Sequence, residues 1–201
     1  MKKSSIFVGS LSLFSLLSAC SPIDSLKPFD QQQAAILMQQ RGAATPSKQM
    51  VSLSLPQKEA WKKTRFTPDE TSALVVLVPK QQTPADFSES IQARVLPYEY
   101  TPDVTAKKYV DAEIAYARKN CRQTEASLLR DTAQEVIYRM KMIQCHNSQD
   151  QWQIGKVFNG VDGVYSVRYV GDAGSISEKH FMQMAQVIST ATLVGDPRAG
   201  L

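Results

Sequence analysis

An α+β fold, in which an antiparallel sheet is covered by helices as an α/β sandwich, is predicted by three observations. Residues 135–145, 151–158 and 163–170 are strand-like pieces separated by two turn-rich segments, His146-Asn147-Ser148-Gln149-Asp150 and Asn159-Gly160-Val161-Asp162-Gly163. That spacing predicts an antiparallel meander. Two other stretches, 101–119 and 175–191, carry apolar residues at helical spacing. The order of strands, helix, meander and closing helix suggests helices covering an antiparallel sheet.

The elements follow in chain order. Val51, Leu53 and Leu55 alternate with Ser52 and Ser54, the period of a half-buried strand, which Pro56 ends. A short polar piece with Trp61 follows. Residues 73–78 form a continuous apolar run before Pro79, consistent with a strand covered on both faces. Residues 87–96 remain ambiguous, because Phe87, Ile91 and Val95 are spaced by four yet lie between Pro84 and Pro97.

Thr101-Pro102-Asp103 predicts a helix opening, with a capping hydroxyl, a proline at the first helical position and an acid near the positive end of the dipole. Val104, Tyr109, Ile114 and Ala117 continue it to about Lys119, with Cys121 at the exit. In the next strand Val136, Tyr138, Met140 and Met142 share one face, and Ile137, Arg139, Lys141 and Ile143 the other. Ser175-Ile176-Ser177-Glu178 matches a capping box, and Phe181, Met184, Ile188 and Ala191 form one stripe of a helix lying across the sheet. Met140, Met142, Met182 and Met184 are read as core filling, with a soft recognition surface as the other use of methionine.

Composition bounds the function classes. Of 201 residues, 43% are hydrophobic and 21% charged, which suits one globular domain and argues against a disordered chain. The amino end carries Lys2 and Lys3, then an apolar run over 6–17, then Leu17-Ser18-Ala19-Cys20. This is the layout of a secretory signal, and its run falls short of the roughly 20 apolar residues that span a bilayer.

Its last four residues resemble the lipobox of bacterial lipoproteins. That resemblance implies a diacylglyceryl group on the Cys20 thiol, cleavage before it and acylation of the new amino terminus; an ordinary signal cut after Ala19 is the alternative. Two or three acyl chains make a stable membrane anchor. In Gram-negative lipoproteins an aspartate after the lipidated cysteine commonly favours inner-membrane retention, so for a Gram-negative cell the resemblance makes Ser21 compatible with export to the outer membrane, facing the periplasm. The expected division is signal peptide 1–19, lipidated tether 20–48, one domain 49–195 and a disordered tail 196–201. The tether is rich in Gln, Ser, Ala and Pro, and its patch Ala34-Ala35-Ile36-Leu37-Met38 is either a short helix or part of a spacer.

Removing Lys2 and Lys3 from 23 basic residues leaves 21 against 19 acidic ones, a mature excess of +2 spread along the chain. No nucleic-acid partner is expected from so weak a footprint. With Cys20 modified, Cys121 and Cys145 are an even pair in an oxidising compartment and read as one disulfide, against a metal or redox pair. The order of elements also loosely resembles the Mog1/PsbP-like arrangement, which implies a fold and no function.

Chemistry-bearing motifs are sparse. The sequence has no nucleophile elbow, P-loop, dinucleotide fingerprint or H-E-x-x-H helix, so neither a cofactor nor a metal is expected. His146 and His180 would form a ligand or base pair only if folding joined them, and otherwise read as solvated. Glu89, Glu99, Asp103 and Glu113 are the carboxylates available for paired acid–base hydrolysis, with helix capping and solvated faces as the plain alternative. Tyr98 and Tyr100 either form an exposed recognition edge or pack beneath their loop. The expected function is a non-enzymatic, membrane-anchored envelope module that binds another envelope protein. The alternatives are an envelope hydrolase using carboxylates, or a carrier of a small ligand or lipid.

Overall fold

The computed structural model describes residues 48–68, 73–83, 87–146 and 149–195. The expected signal segment, Cys20, the expected tether as far as residue 47 and the expected tail 196–201 lie outside them. Nine strands and two α-helices are described, with a short 3-10 turn at Lys58–Ala60. β1 (Gln49–Ser52), β2 (Trp61–Pro68), β3 (Ala73–Pro79) and β4 (Glu89–Pro97) precede α1 (Ala106–Asn120). Then come β5 (Cys121–Asp131), β6 (Glu135–Cys145), β7 (Gln151–Asn159), β8 (Gly163–Asp172), α2 (Glu178–Ser189) and β9 (Thr192–Gly195).

The fold is α+β. Seven strands form one antiparallel sheet in the order β2-β3-β4-β8-β7-β6-β5, and β1 pairs with β9 in a separate ribbon. Alternation along the central strands sends side chains to two cores, one on each face. On one face α1 buries Tyr109, Val110 and Ala117 against Val136, Tyr138, Met140, Met142, Val157 and Val164. On the other, α2 buries Phe181, Met184 and Ile188 against Ile137, Ile154, Phe158, Tyr165, Val167 and Tyr169. Each large apolar side chain so buried contributes about 2 kcal/mol. Val51, Leu53, Leu55 and Leu193, from β1, the segment after it and β9, pack against the α2 side.

The stripe Phe181, Met184, Ile188 and Ala191 is buried as its spacing predicts, and Met140, Met142 and Met184 are core residues while Met182 stays 52% exposed. Cys121 and Cys145 stand opposite each other at the outer ends of β5 and β6 and form the expected disulfide. The ambiguous stretch is strand β4, paired to β3 on one side and β8 on the other. Gly155 lies opposite Tyr138, whose ring covers it so closely that a Cβ there would strike the ring. The ring can fold down onto β7 only because that position has no side chain.

Both helix openings are displaced from the sequence expectation. α1 is capped by Thr105, whose hydroxyl accepts from the Lys108 amide at 3.2 Å, rather than by Thr101. Thr101 is turned back onto the end of β4, its amide and hydroxyl donating to the Pro97 carbonyl at 3.0 and 2.9 Å. The first helical amide, Ala106, donates instead to Asn159 Oδ1 at 2.7 Å, so a side chain on β7 helps set the start. α2 is capped by Ser177, not Ser175. Asp172 claims Ser175: its carbonyl accepts the Ser175 and Ile176 amides at 3.0 Å each, and its carboxylate takes the Ser175 hydroxyl. Three strands were not expected as such: β2, where only a polar piece was read, β5 and β9.

Candidate functional site

The candidate catalytic groups are dispersed. Glu89, on β4, accepts from Tyr169 Oη at 2.7 Å and meets His180 Nε2 at 2.7 Å on the α2 side of the sheet. Burial, and then the Glu89 carboxylate, raise the Tyr169 pKa above its ordinary value, so the phenol stays protonated and donates. Glu113, on α1, lies on the opposite face and pairs with Arg168. Glu99 and Asp103 are exposed in the loop before α1. Glu89 and Glu113 therefore share neither a partner nor a face of the sheet. His146 stands in the exposed turn after β6, away from His180, and Tyr98 packs against the α1-side core while Tyr100 is exposed. Among the described residues no three metal-ligating side chains gather.

Arg168 is the centre of a polar network under α1. Its Nε and Nη2 donate to Gln92 Oε1 at 2.9 and 2.7 Å, and its remaining amine meets Glu113. Burial works against the guanidinium charge, but Glu113, and then Tyr138 and Tyr109, hold its pKa above the ordinary value. Close by, Gln153 donates to the Tyr138 hydroxyl at 2.8 Å. Every strong group in the network is matched inside it, which suits a structural clamp between helix and sheet.

The feature left open is the β5 edge. β5 pairs with β6 on one side, and no strand lies on its other side among the described residues. A register shift between Leu128 and Arg130 leaves Leu129 bulged and 55% exposed. Two hollows flank this strand. One, of about 440 Å³, lies on the α2 face, with Arg139, Lys141, Trp152, Phe181 and Met182 among its walls. The other, of about 410 Å³, lies on the α1 face and includes Ile114, Arg118 and Leu128. Ala126 and Ser127 of β5 border both.

The charges in the hollows are unevenly satisfied. Glu125 accepts from the Gln123 amide at 2.9 Å, Asp111 is paired with Lys107, and Glu178 occupies the first turn of α2, where the helix dipole favours an acid. Arg118, Arg139 and Lys141 make no hydrogen bond or ion pair among the described residues. Sequence reasoning placed Arg139 and Lys141 on the wetter face of their strand but missed β5 itself. The missed strand, CRQTEASLLRD, is polar because most of its side chains are exposed. Its β-branched and aromatic content is too low for a propensity signal.

No family model matches this chain, and no curated protein matches it. Solved structures do. The crystal structure of LpqN, involved in cell envelope biogenesis of Mycobacterium tuberculosis, aligns over 75% of this chain and 87% of its own, at 12% identity and a TM-score of 0.39. The solution structure of the cyanobacterial PsbP protein CyanoP from Synechocystis aligns over 77% and 96%, at 9% identity and a TM-score of 0.38.

Proposed function

We propose that the chain is a lipid-anchored lipoprotein of the cell envelope, held at the outer membrane facing the periplasm, where it binds another envelope protein without catalysing a reaction. The lipobox Leu17-Ser18-Ala19-Cys20 supports the anchor, and the Cys121–Cys145 disulfide supports an oxidising compartment. The observation that carries the binding role is the β5 edge, which no strand covers among the described residues, flanked on both faces by hollows whose cations have no partner among those residues. Tethering to a bilayer would raise the effective concentration of such an edge beside a membrane-bound partner.

Two other functions fit less well. Paired-carboxylate hydrolysis needs two carboxyl groups about 5 to 10 Å apart across one cleft. Glu89 and Glu113 instead stand on opposite faces of the sheet, each with its own partner. A lipid carrier needs a deep apolar cavity, whereas both hollows mix charged with apolar walls.

The test uses the full chain in its own cells. Fatty-acid labelling should mark the wild-type protein and be lost in Cys20→Ser. A photoreactive residue replacing Met182, at the wall of a hollow, should crosslink one identified envelope protein that the same residue at exposed Val161 does not capture. An unlabelled wild-type protein overturns the anchor, and absence of a Met182-dependent crosslink overturns the binding role.

A further inference from the structure

Eight large apolar side chains stay exposed among the described residues, and four of them gather at one end of the domain. Met50 and Val194, each 39% exposed, are register partners in the β1–β9 ribbon. Their neighbours Val51 and Leu193 pack on the α2-side core, so alternation turns Met50 and Val194 outward. The ribbon abuts the turn between β7 and β8: Gln49 Oε1 accepts the Val161 amide at 2.7 Å, and the Lys48 amide donates to Asp162 at 2.6 Å. Val161, in that turn, is 71% exposed. On the α1 side of the same turn the Tyr98 amide donates to the Asp162 carbonyl at 3.0 Å, and Tyr100, two residues on, is 41% exposed. The other four are spread over α1, β5 and α2. Single exposed apolar residues need no explanation, whereas a group of them marks a contact surface.

The chain itself indicates what this end meets. Residues 21–47 join Cys20 to Lys48, and Lys48 lies within the group, bonded to the turn that carries Val161. Whatever path that segment takes, a lipid on Cys20 is linked to the domain at this end. Charge is mixed here: Lys48 and Lys108 stand at the same end as Glu99, Asp103 and Asp162, so no strongly charged surface is favoured. A tyrosine among aliphatic side chains suits the headgroup boundary of a bilayer, where an amphipathic ring has one apolar and one wet side. Four partly exposed side chains would hold a free domain there only weakly. A tethered domain never leaves the vicinity, so a weak apolar contact is enough to set its orientation.

We infer that the domain rests on the bilayer through this end, with Met50, Tyr100, Val161 and Val194 seated at the boundary between headgroups and acyl chains of a lipid surface without strong net charge. This rests on the lipid anchor proposed above. β7 and β8 then stand with their shared turn at the lipid and their Gln151 and Asp172 ends away from it, which turns Trp152 and the α2-side hollow toward the aqueous side.

Relaxation of methyl signals by a spin label on the lipid headgroup tests it, with the protein as processed in its own cells placed in phosphatidylcholine bilayers. Where fatty-acid labelling finds Cys20 unmodified, the same chain is coupled to a maleimide lipid through that thiol, the one cysteine outside the Cys121–Cys145 disulfide, so the orientation is measured in either case. The Met50, Val161 and Val194 methyls should relax about tenfold faster than the Met182 methyl, because the effect falls steeply with distance and side chains at the headgroup boundary lie only about 5 to 10 Å deep. Adding phosphatidylglycerol should leave that ratio unchanged. In the double variant Met50→Asp, Val161→Asp, with both changes at exposed sites, the Val194 and Met182 methyls should relax alike.

Equal relaxation of the Met50 and Met182 methyls in the wild-type protein, or faster relaxation of Met182, overturns the inference whatever the variant does. So does a ratio that appears only with phosphatidylglycerol, which identifies attraction by charge, or one that survives the double variant. A Met50 signal that shifts with protein density at constant lipid identifies a second copy on this end and overturns it as well. Fatty-acid labelling alone reads the anchor and the methyl ratio alone reads the orientation, so the two failures are distinguishable.

Discussion

Lys156 and Glu135 form an ion pair of 3.0 Å beneath the C-terminal end of α2, with the lysine side chain only 6% exposed. The same ammonium donates to the Ser189 carbonyl at 3.1 Å, at the last residue of α2, and lies 5.0 Å from the centre of the Phe158 ring. A cation there satisfies a carbonyl the helix leaves open and complements the negative end of its dipole. Glu135, on the neighbouring strand, also accepts from Arg130 at 2.7 Å.

Loss of that carboxylate strands a buried charge. Glu135→Gln is expected to destabilise the fold by about 3 kcal/mol, the cost typical of breaking a buried pair from one side, as read by urea denaturation. Lys156→Met, which removes the charge and keeps the stem, is expected to cost less.

The same pair sets a pH dependence. Burial tends to raise the Glu135 pKa, but Arg130 and Lys156 outweigh it and hold the carboxyl below the usual carboxylate range. A carboxyl whose folded pKa is depressed lends stability that is complete above its unfolded value, about 4.3, and is lost as pH falls through the folded value. The stability gap between wild type and Glu135→Gln should therefore be flat near neutrality and shrink in acid. A gap that widens on acidification would contradict the ion pair.

At Gly155 the prediction is steric. Gly155→Ala should cost about 2 kcal/mol, within the range for overpacking, because the added methyl meets the Tyr138 ring. Combining it with Tyr138→Val, which withdraws the ring, should cost clearly less than the sum of the two single changes in a double-mutant cycle.

The two candidate acids should separate by role. Glu113→Gln removes the charge that balances the half-buried guanidinium of Arg168 and should cost about 2 kcal/mol. Glu89→Gln keeps an oxygen able to accept from Tyr169 and should cost about 1 kcal/mol or less. With the residues on opposite faces, the double variant should show a simple sum in thermal or urea denaturation.

Reduction of Cys121–Cys145 opens a loop set by a sequence separation of 24. The chain-entropy model gives about 3 kcal/mol for such a closure. A lower urea midpoint under a phosphine reductant, matched by the Cys121→Ser, Cys145→Ser double variant without reductant, would check it. An unchanged midpoint would show that the staple adds nothing.

The sequence made the centre of the fold legible and its margins obscure. β6, β7 and β8 were readable because burial on one or both faces requires apolar residues in a fixed period, bounded here by Asn159-Gly160 and similar turns. β5 and β9 carry no such pattern, because edge and ribbon strands have one wet face or two. The helix caps failed for a different reason. Thr101 and Ser175 are both good local caps, but Pro97 and Asp172 hold them by hydrogen bonds formed only in the turns of the folded chain. The hollows were beyond reach because each is walled by residues far apart in the chain, Glu125 with Phe181 on one face and Asp111 with Leu128 on the other, and no local pattern brings such residues together.

The position of β1 has a mechanical meaning. Four register pairs join β1 to β9, and Lys48 just before it is bonded through its amide to Asp162 in the turn between β7 and β8. A pull applied from the amino end thus reaches this small ribbon first, and only after its rupture does tension pass to β2 at the rim of the main sheet. The ribbon would act as a fuse, giving way first and uncovering the flank of the α2-side core against which Val51 and Leu193 pack, while the α1-side core remains shut. Optical-tweezer traces should show a short first extension before the main rip, and a single rip with no precursor would rule the fuse out.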